Sequence, residues 1–203
     1  MDTLASLSAL GDVLYVQKKY TEAEATYCDI WVRRSIALGD NHPDTLSSLH
    51  ILGKSLDDQE KCTEAECIFH DAWEARNRVL GNKHADTLNS LYELGDAFYH
   101  QEKYTQAEAA YRDVWVRRCQ ALGTKHAETL ACLGRLGDVL FNQVMLPEAE
   151  LVYRDVWDLH KKKPSGNIMK ILFDFSIGYV KVFATKKSML KPKPYTGTLG
   201  RSL

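Results

Sequence analysis

No stretch of the 203 residues approaches the run of about 20 uncharged apolar residues that a bilayer-spanning helix requires. The N-terminus opens on Met1 and Asp2 without the basic region of a secretory signal. Five cysteines, at 28, 62, 67, 119 and 132, form an odd set with no Cys-x-x-Cys pair. A disulfide framework and a dithiol redox motif are thereby excluded, and the cysteines read as reduced residues of a cytoplasmic protein. There is no Walker loop, glycine-rich phosphate cradle or nucleophile–base constellation. The expectation is a non-enzymatic chain with no catalytic residue, no metal site and no cofactor.

What the chain has is repetition. Asp2-Thr3-Leu4 returns as Asp44-Thr45-Leu46, Asp86-Thr87-Leu88 and Glu128-Thr129-Leu130, a period of 42 that never slips. Repeats 1 and 3 share 26 of 42 positions and repeats 1 and 2 share 20, a pattern that suggests duplication of a two-repeat block. Such periods mark stacked supersecondary units, each needing its neighbour to bury its apolar face.

Each unit reads as two helices. Leu7, Leu10 and Leu14 recur at Leu49, Leu52 and Leu56, at Leu91, Leu94 and Phe98, and at Leu133, Leu136 and Leu140. This spacing of three and four places one face of the first helix in a core. Gly11, Gly53, Gly95 and Gly137 occupy one interior slot, where glycine costs about 0.5–1 kcal/mol against alanine. Four in register imply that another helix passes too close for a Cβ. The second helix begins at Thr21, Thr63 and Thr105, each three residues before Glu24, Glu66 or Glu108, a capping-box pattern; the fourth copy has Pro147. Ala23, Ala65, Ala107 and Ala149 allow close approach. Tyr27, Phe69, Tyr111 and Tyr153 then fill the space between helices, and Trp31, Trp73, Trp115 and Trp157 pack between repeats. Gly39, Gly81 and Gly123 are expected to end the helix as left-handed caps. His42, His84 and His126 recur once per loop, so they lie too far apart to share one ion.

This order of Leu-Gly, aliphatic, Ala and aromatic slots resembles the tetratricopeptide repeat. The 42-residue period and the string LGDNHPDTLSSLHILGKSLDDQEKCTEAE (residues 38–66) resemble the longer variety found in kinesin light chains and in fungal NB-ARC-type arrays. The resemblance spans residues 2 to about 160. It implies an all-α, right-handed solenoid of four helical hairpins at about 2–43, 44–85, 86–127 and 128–163, forming one domain over 1–163. Two departures are visible. The family's turn glycine is replaced by Lys18, Glu60, Glu102 and Val144, so a left-handed turn is strained, most of all at Val144, and the fourth repeat is expected to be the least regular. The paired asparagines of kinesin light chains are Ser8-Ala9, His50-Ile51, Tyr92-Glu93 and Gly134-Arg135 here, so that mode of cargo binding is not implied.

In this repeat class the first helices line a concave groove. The residues placed there are Ser8, Asp12, Tyr15, His50, Lys54, Asp57, Tyr92, Asp96, Tyr99, Gly134, Asp138 and Phe141, flanked by Glu93 and Arg135. Carboxylates outnumber cations, and aromatics are interleaved. Chaperone-binding relatives clamp a terminal carboxylate with Lys and Asn, whereas Asp12, Asp96 and Asp138 would repel one. The expected ligand is a basic or basic-aromatic peptide of a protein partner; nucleic acid is not the expected partner.

Residues 161–203 hold ten Lys/Arg and one acid, Asp174, while residues 1–160 hold 16 basic and 26 acidic residues. A +9 segment beside a −10 body suggests interaction, within the chain or outside it. Residues 164–185 are expected to form a capping helix and residues 186–203 a flexible basic tail. The alternative roles are a lipid- or RNA-associated adaptor anchored by that tail, or a piece of the regulatory array of a larger signalling ATPase or kinesin-light-chain-like protein. The repeat begins directly at Asp2, which fits an excerpt of a longer array.

Overall fold

The structure, a computed structural model, describes residues 2–161. The expected cap and basic tail (164–203) lie outside the described residues. Eight helices follow one another without strands among the described residues: α1 (Asp2–Val16), α2 (Tyr20–Leu38), α3 (Pro43–Asp57), α4 (Cys62–Leu80), α5 (Ala85–His100), α6 (Tyr104–Leu122), α7 (Ala127–Asn142) and α8 (Leu146–Lys161). Each packs on the helix before and after it, and the first helices α3 and α5 also meet.

The loop histidines start the odd-numbered helices. The Nδ1 of His42 accepts the N–H of Asp44 at 3.2 Å, and His84 and His126 do the same for Asp86 and Glu128. A side-chain acceptor in the first turn satisfies one of the orphan donors there, and Asp44, Asp86 and Glu128 add negative charge where the helix dipole is positive.

Two expected caps are corrected. Gly39, Gly81 and Gly123 do have positive φ, 88–90°, but their ψ is 158–165°. That conformation is extended rather than left-handed helical, and it is open essentially to glycine alone. The threonines are not N-caps either. The helices begin one residue earlier, at Tyr20, Cys62 and Tyr104, and the caps Lys19, Lys61 and Lys103 make no side-chain capping bond. The glutamates reach forward to the next repeat instead: Glu24 accepts from Gln59 at 2.8 Å and Lys61 at 2.7 Å, and Glu66 from Gln101 and Lys103 at 2.7 Å each. In the fourth repeat Met145 replaces the lysine, and Glu108 keeps only Gln143 of this pair, at 3.0 Å.

The turns within the hairpins are left-handed at Lys18, Glu60, Glu102 and Val144, with φ between 59° and 63°. The fourth turn therefore keeps the backbone of the other three, and its expected irregularity is confined to side chains. A non-glycine residue there costs about 1–2 kcal/mol, against about 0.5–1 kcal/mol for the extra freedom of an unfolded glycine. Val144 is β-branched and exposed, so its side chain contributes little packing. Val144→Gly is expected to raise stability by about 1 kcal/mol, read as a higher urea midpoint; an unchanged or lower midpoint would contradict the strain.

The interior glycines are explained by the aromatic slot. A Cβ on Gly95 would lie 2.8 Å from Cε1 of Tyr111, and one on Gly11, Gly53 or Gly137 would meet Tyr27, Phe69 or Tyr153 at 2.6–2.8 Å. These four rings are buried on the second helices, so the two helices of each hairpin meet ring against backbone. Trp73 and Trp115 pack on this core, while Trp157 is exposed.

A third device joins the hairpins and has no counterpart in the sequence expectations. Arg34, Arg76 and Arg118 share one slot near the end of the second helices. Each donates from Nη1 to the carbonyl that opens the next Asp/Glu-Thr-Leu motif: Asp44, Asp86 and Glu128, all at 3.1 Å. Each also reaches the side chain four residues on, Ser48 at 2.6 Å, Ser90 at 2.8 Å and Cys132 at 3.0 Å. Arg76 and Arg118 are only 4 % exposed. The recurring motif is thus the socket for an arginine of the preceding repeat. Its threonine and leucine are buried beside that socket at 45–46, 87–88 and 129–130.

Candidate peptide-binding face

Consecutive first helices present one continuous face, and side-chain bonds at separations of 39 and 43 residues cross it. Lys54 pairs with Glu93 at 3.2 Å. Asp57 meets Nδ1 of His100 at 3.0 Å, Tyr15 donates to Asp58, and Asn142 donates to Tyr99 at 2.9 Å. Arg135 pairs with Asp96 at 3.2 Å, touches the Tyr92 hydroxyl at 3.4 Å and lies 6.0 Å from the Tyr99 ring centre. The expected residues of helices α3, α5 and α7 are therefore brought together. Ser8, Asp12 and Tyr15 occupy the corresponding positions of α1.

The aspartates at the shared slot are not simply a solvated acidic stripe. Each accepts from the aromatic hydroxyl fifteen residues later: Asp12 from Tyr27 at 3.0 Å, Asp96 from Tyr111 at 2.5 Å and Asp138 from Tyr153 at 2.6 Å. In the second repeat the slot holds Lys54 and the aromatic is Phe69, so acceptor and donor are lost together. Solvent reaches these slots unequally. Asp96 is 6 % exposed, whereas Asp12 is exposed and Asp138 half-buried. Burial pushes the Asp96 carboxyl above the ordinary range, against the pull of Arg135 and Tyr111. Burial also raises Glu93, against Lys54. Gly134 is buried, so it offers no contact surface, and His50 is half-buried with an Nδ1 that has no partner. Burial, with Arg76 and Lys54 nearby, pushes His50 down to about 3.

The accessible part of the face includes Asp12, Tyr15, Tyr99, Asp138 and Phe141, with the side chains of Lys54 and Arg135 43% and 36% exposed where they pair with the more enclosed Glu93 and Asp96. Sequence reasoning placed the face but missed Arg34, Arg76 and Arg118 behind it. The signal was present: an arginine three residues after the tryptophan in three successive repeats.

The tetratricopeptide repeat model matches residues 2–73 and 58–114, more than half of the chain. The chain belongs to the tetratricopeptide repeat family. Its repeat array is similar in fold to the nearly identical TPR-like repeats assigned to a kinesin light chain of Podosopora anserina, with TM-score 0.78 and 18% identity over 92% of this chain and 88% of that one. It is also similar to BtubC (BKLC) from P. vanneervenii, with TM-score 0.71 and 15% identity over 97% of this chain and 85% of that one. No curated protein sequence matches it. The tetratricopeptide architecture is that of a protein-interaction scaffold. No helix among the described residues is long and apolar enough to cross a membrane.

Proposed function

We propose that the face of α1, α3, α5 and α7 is a groove that binds a basic or basic-aromatic peptide segment of a partner protein, and that the chain acts as an adaptor without catalysis. The observation that supports this reading is the charge balance of the face. The face has five carboxylates, Asp12, Asp57, Glu93, Asp96 and Asp138, against two cations, Lys54 and Arg135. Lys54 pairs with Glu93, Arg135 with Asp96 and His100 with Asp57, and Tyr15, Tyr99 and Phe141 stand half-buried on the same face. Aromatic rings beside surplus carboxylates favour a ligand that offers cations and apolar side chains together.

The test is titration of a fluorescent Lys/Arg–aromatic peptide pool against the full chain and against the double variant Asp12→Asn, Asp138→Asn. Asparagine keeps an acceptor oxygen for Tyr27 and Tyr153, so the fold is retained while the charge goes. Affinity is expected to fall about tenfold, at about 0.7 kcal/mol for each partly exposed carboxylate. Equal affinity for both proteins would remove the groove. The +9 segment, residues 161–203, has the same chemistry as the expected ligand. It is therefore an intramolecular competitor, and a chain ending at residue 163 is expected to bind the pool more tightly.

A further inference from the structure

The second hairpin departs from its neighbours on both sides of its turn. Repeats 1 and 3 place tyrosine pairs there, Tyr15 with Tyr20 and Tyr99 with Tyr104, whose rings meet edge to face at 5.6 and 5.8 Å. Repeat 4 has Phe141 and Leu146. Repeat 2 alone has two metal-ligating side chains, Asp57 and Cys62. Asp57 is the last residue of α3 and Cys62 the first of α4. The backbone between them is closed by Glu60 N–H to Asp57 C=O at 2.9 Å and Lys61 N–H to Leu56 C=O at 3.1 Å, so their spacing is set by the turn itself. The third hairpin brings in His100, the last residue of α5, with Nδ1 3.0 Å from Asp57 Oδ1. One ligand atom from each of Asp57, Cys62 and His100 lies within 4.8 Å of the other two. The equivalents of His100 are Val16, Asp58 and Asn142, so the imidazole also occurs only here.

We propose that Asp57, Cys62 and His100 form a zinc-binding site that bridges the second and third hairpins. A carboxylate and a thiol are much smaller than the two tyrosine rings that fill the same place in repeats 1 and 3, which makes room for an ion. Thiolate, imidazole and carboxylate together form a donor set suited to zinc, and three protein ligands leave a fourth position for water or a ligand from a partner. Bond lengths of about 2.0–2.3 Å set ligand–ligand distances of about 3.4–3.8 Å in a tetrahedron. A pair at the 4.8 Å limit must therefore close by about 1.0–1.4 Å, whereas His100 Nδ1 and Asp57 Oδ1, 3.0 Å apart, must open slightly. Exposed His100 and half-buried Cys62 can do so by rotating their side chains. On binding, the Cys62 thiol gives its proton to solvent, so affinity falls as the solution is acidified. The ion ties the α3–α4 turn to the end of α5 and adds stability to the stack by mass action. This inference does not rest on the peptide groove, although Asp57 belongs to both.

The full chain, reduced and stripped with chelator, is titrated with Co²⁺ and then Zn²⁺. One equivalent of cobalt is expected to produce a thiolate-to-metal charge-transfer band, which zinc then displaces. Cys62→Ser should abolish the band, and both Cys62→Ser and His100→Gln should weaken zinc by at least about tenfold. Cys28→Ser and Cys67→Ser, at exposed cysteines, should leave the band and the affinity unchanged. Circular dichroism checks that the variants keep their helicity; if Cys62→Ser does not, His100→Gln decides. A band that survives Cys62→Ser, zinc affinity unchanged in His100→Gln, or no binding by the wild type at micromolar zinc would each overturn the site.

Discussion

Arg76→Ala is expected to lower the stability of the array by about 3 kcal/mol, more than any surface change on the same helix. The guanidinium is 4 % exposed. It donates to the carbonyl of Asp86 at 3.1 Å, the Ser90 hydroxyl at 2.8 Å and the carbonyl of Leu46 at 3.3 Å. Burial lowers its pKa, opposed by Asp86, yet a guanidinium keeps its proton in proteins. Each hydrogen bond to a charged group is worth about 1.5–3 kcal/mol, and its loss strands a buried acceptor. Part of that loss is offset because the charge no longer has to be desolvated. Arg76→Lys is not expected to rescue it, since one ammonium cannot span acceptors met from both Nη1 and Nη2.

Urea unfolding followed by circular dichroism measures the effect, with Arg33→Ala as control. Arg33 sits on α2 with a side chain 57% exposed and pairs with Asp29 in the same helix. Solvent screens that pair, so its loss should matter little. Because each repeat contacts only its neighbours, amide exchange in Arg76→Ala should accelerate first in α3 to α6. A midpoint shift no larger than that of Arg33→Ala would remove the socket from the list of stabilising contacts.

The array should also lose about 2 kcal/mol between pH 7.5 and pH 5 through His50 alone. In the fold this imidazole is held neutral, with its pKa pushed down to about 3 by burial first and then by Arg76 and Lys54. In the unfolded chain it titrates near 6.5. Between those values the unfolded state binds more protons, so stability rises with pH. The contribution is full above about 6.5 and is lost by about 1.4 kcal/mol per pH unit as pH falls towards 3. Other groups pull the opposite way. His100 is raised by Asp57, and Asp96 and Glu93 are raised chiefly by burial, so each favours the fold as pH falls. The informative quantity is therefore the difference between wild type and His50→Leu. Leucine removes both the titration and the unpartnered ring nitrogen. The variant should lose less stability than wild type from pH 7.5 to pH 5; parallel pH profiles would mean that His50 is not held neutral by the fold.

Most of the hairpin could be read from the chain, and the reason is local. Which residues face the core depends on spacing along one helix, so Leu49, Leu52 and Leu56 could be assigned from a period of three and four. The glycine slot was legible because four copies at one register imply a steric contact, and each Cβ would indeed fall within 2.8 Å of an aromatic ring. The left-handed turn at Val144 was legible because the departure from the expected glycine stood at a fixed position. Where local rules compete, the reading failed. Thr-x-x-Glu is a capping signature in isolation, but Glu24 finds Gln59 and Lys61 of the next hairpin across the stack.

By itself, then, the sequence determined the helices, their pairing and the period of 42, because each follows from residue type at fixed spacing within one unit; the first-helix face as the groove is implied by the resemblance to the repeat family. Only the tertiary structure decided what that face is made of. Asp12, Asp96 and Asp138 are identical in the chain. Stacking exposes the first and encloses Asp96 between Tyr111 of its own hairpin and Arg135 of the next. The same stacking buries Arg76 and Arg118, which a hydrophobicity pattern assigns to solvent, and gathers Asp57, Cys62 and His100 from three helix ends. The hydrogen bonds among these contacts join residues 10 to 43 positions apart, and their energies depend on how closely one hairpin settles on the next. That distance is set by the packed rings and glycines together, and no single repeat encodes it.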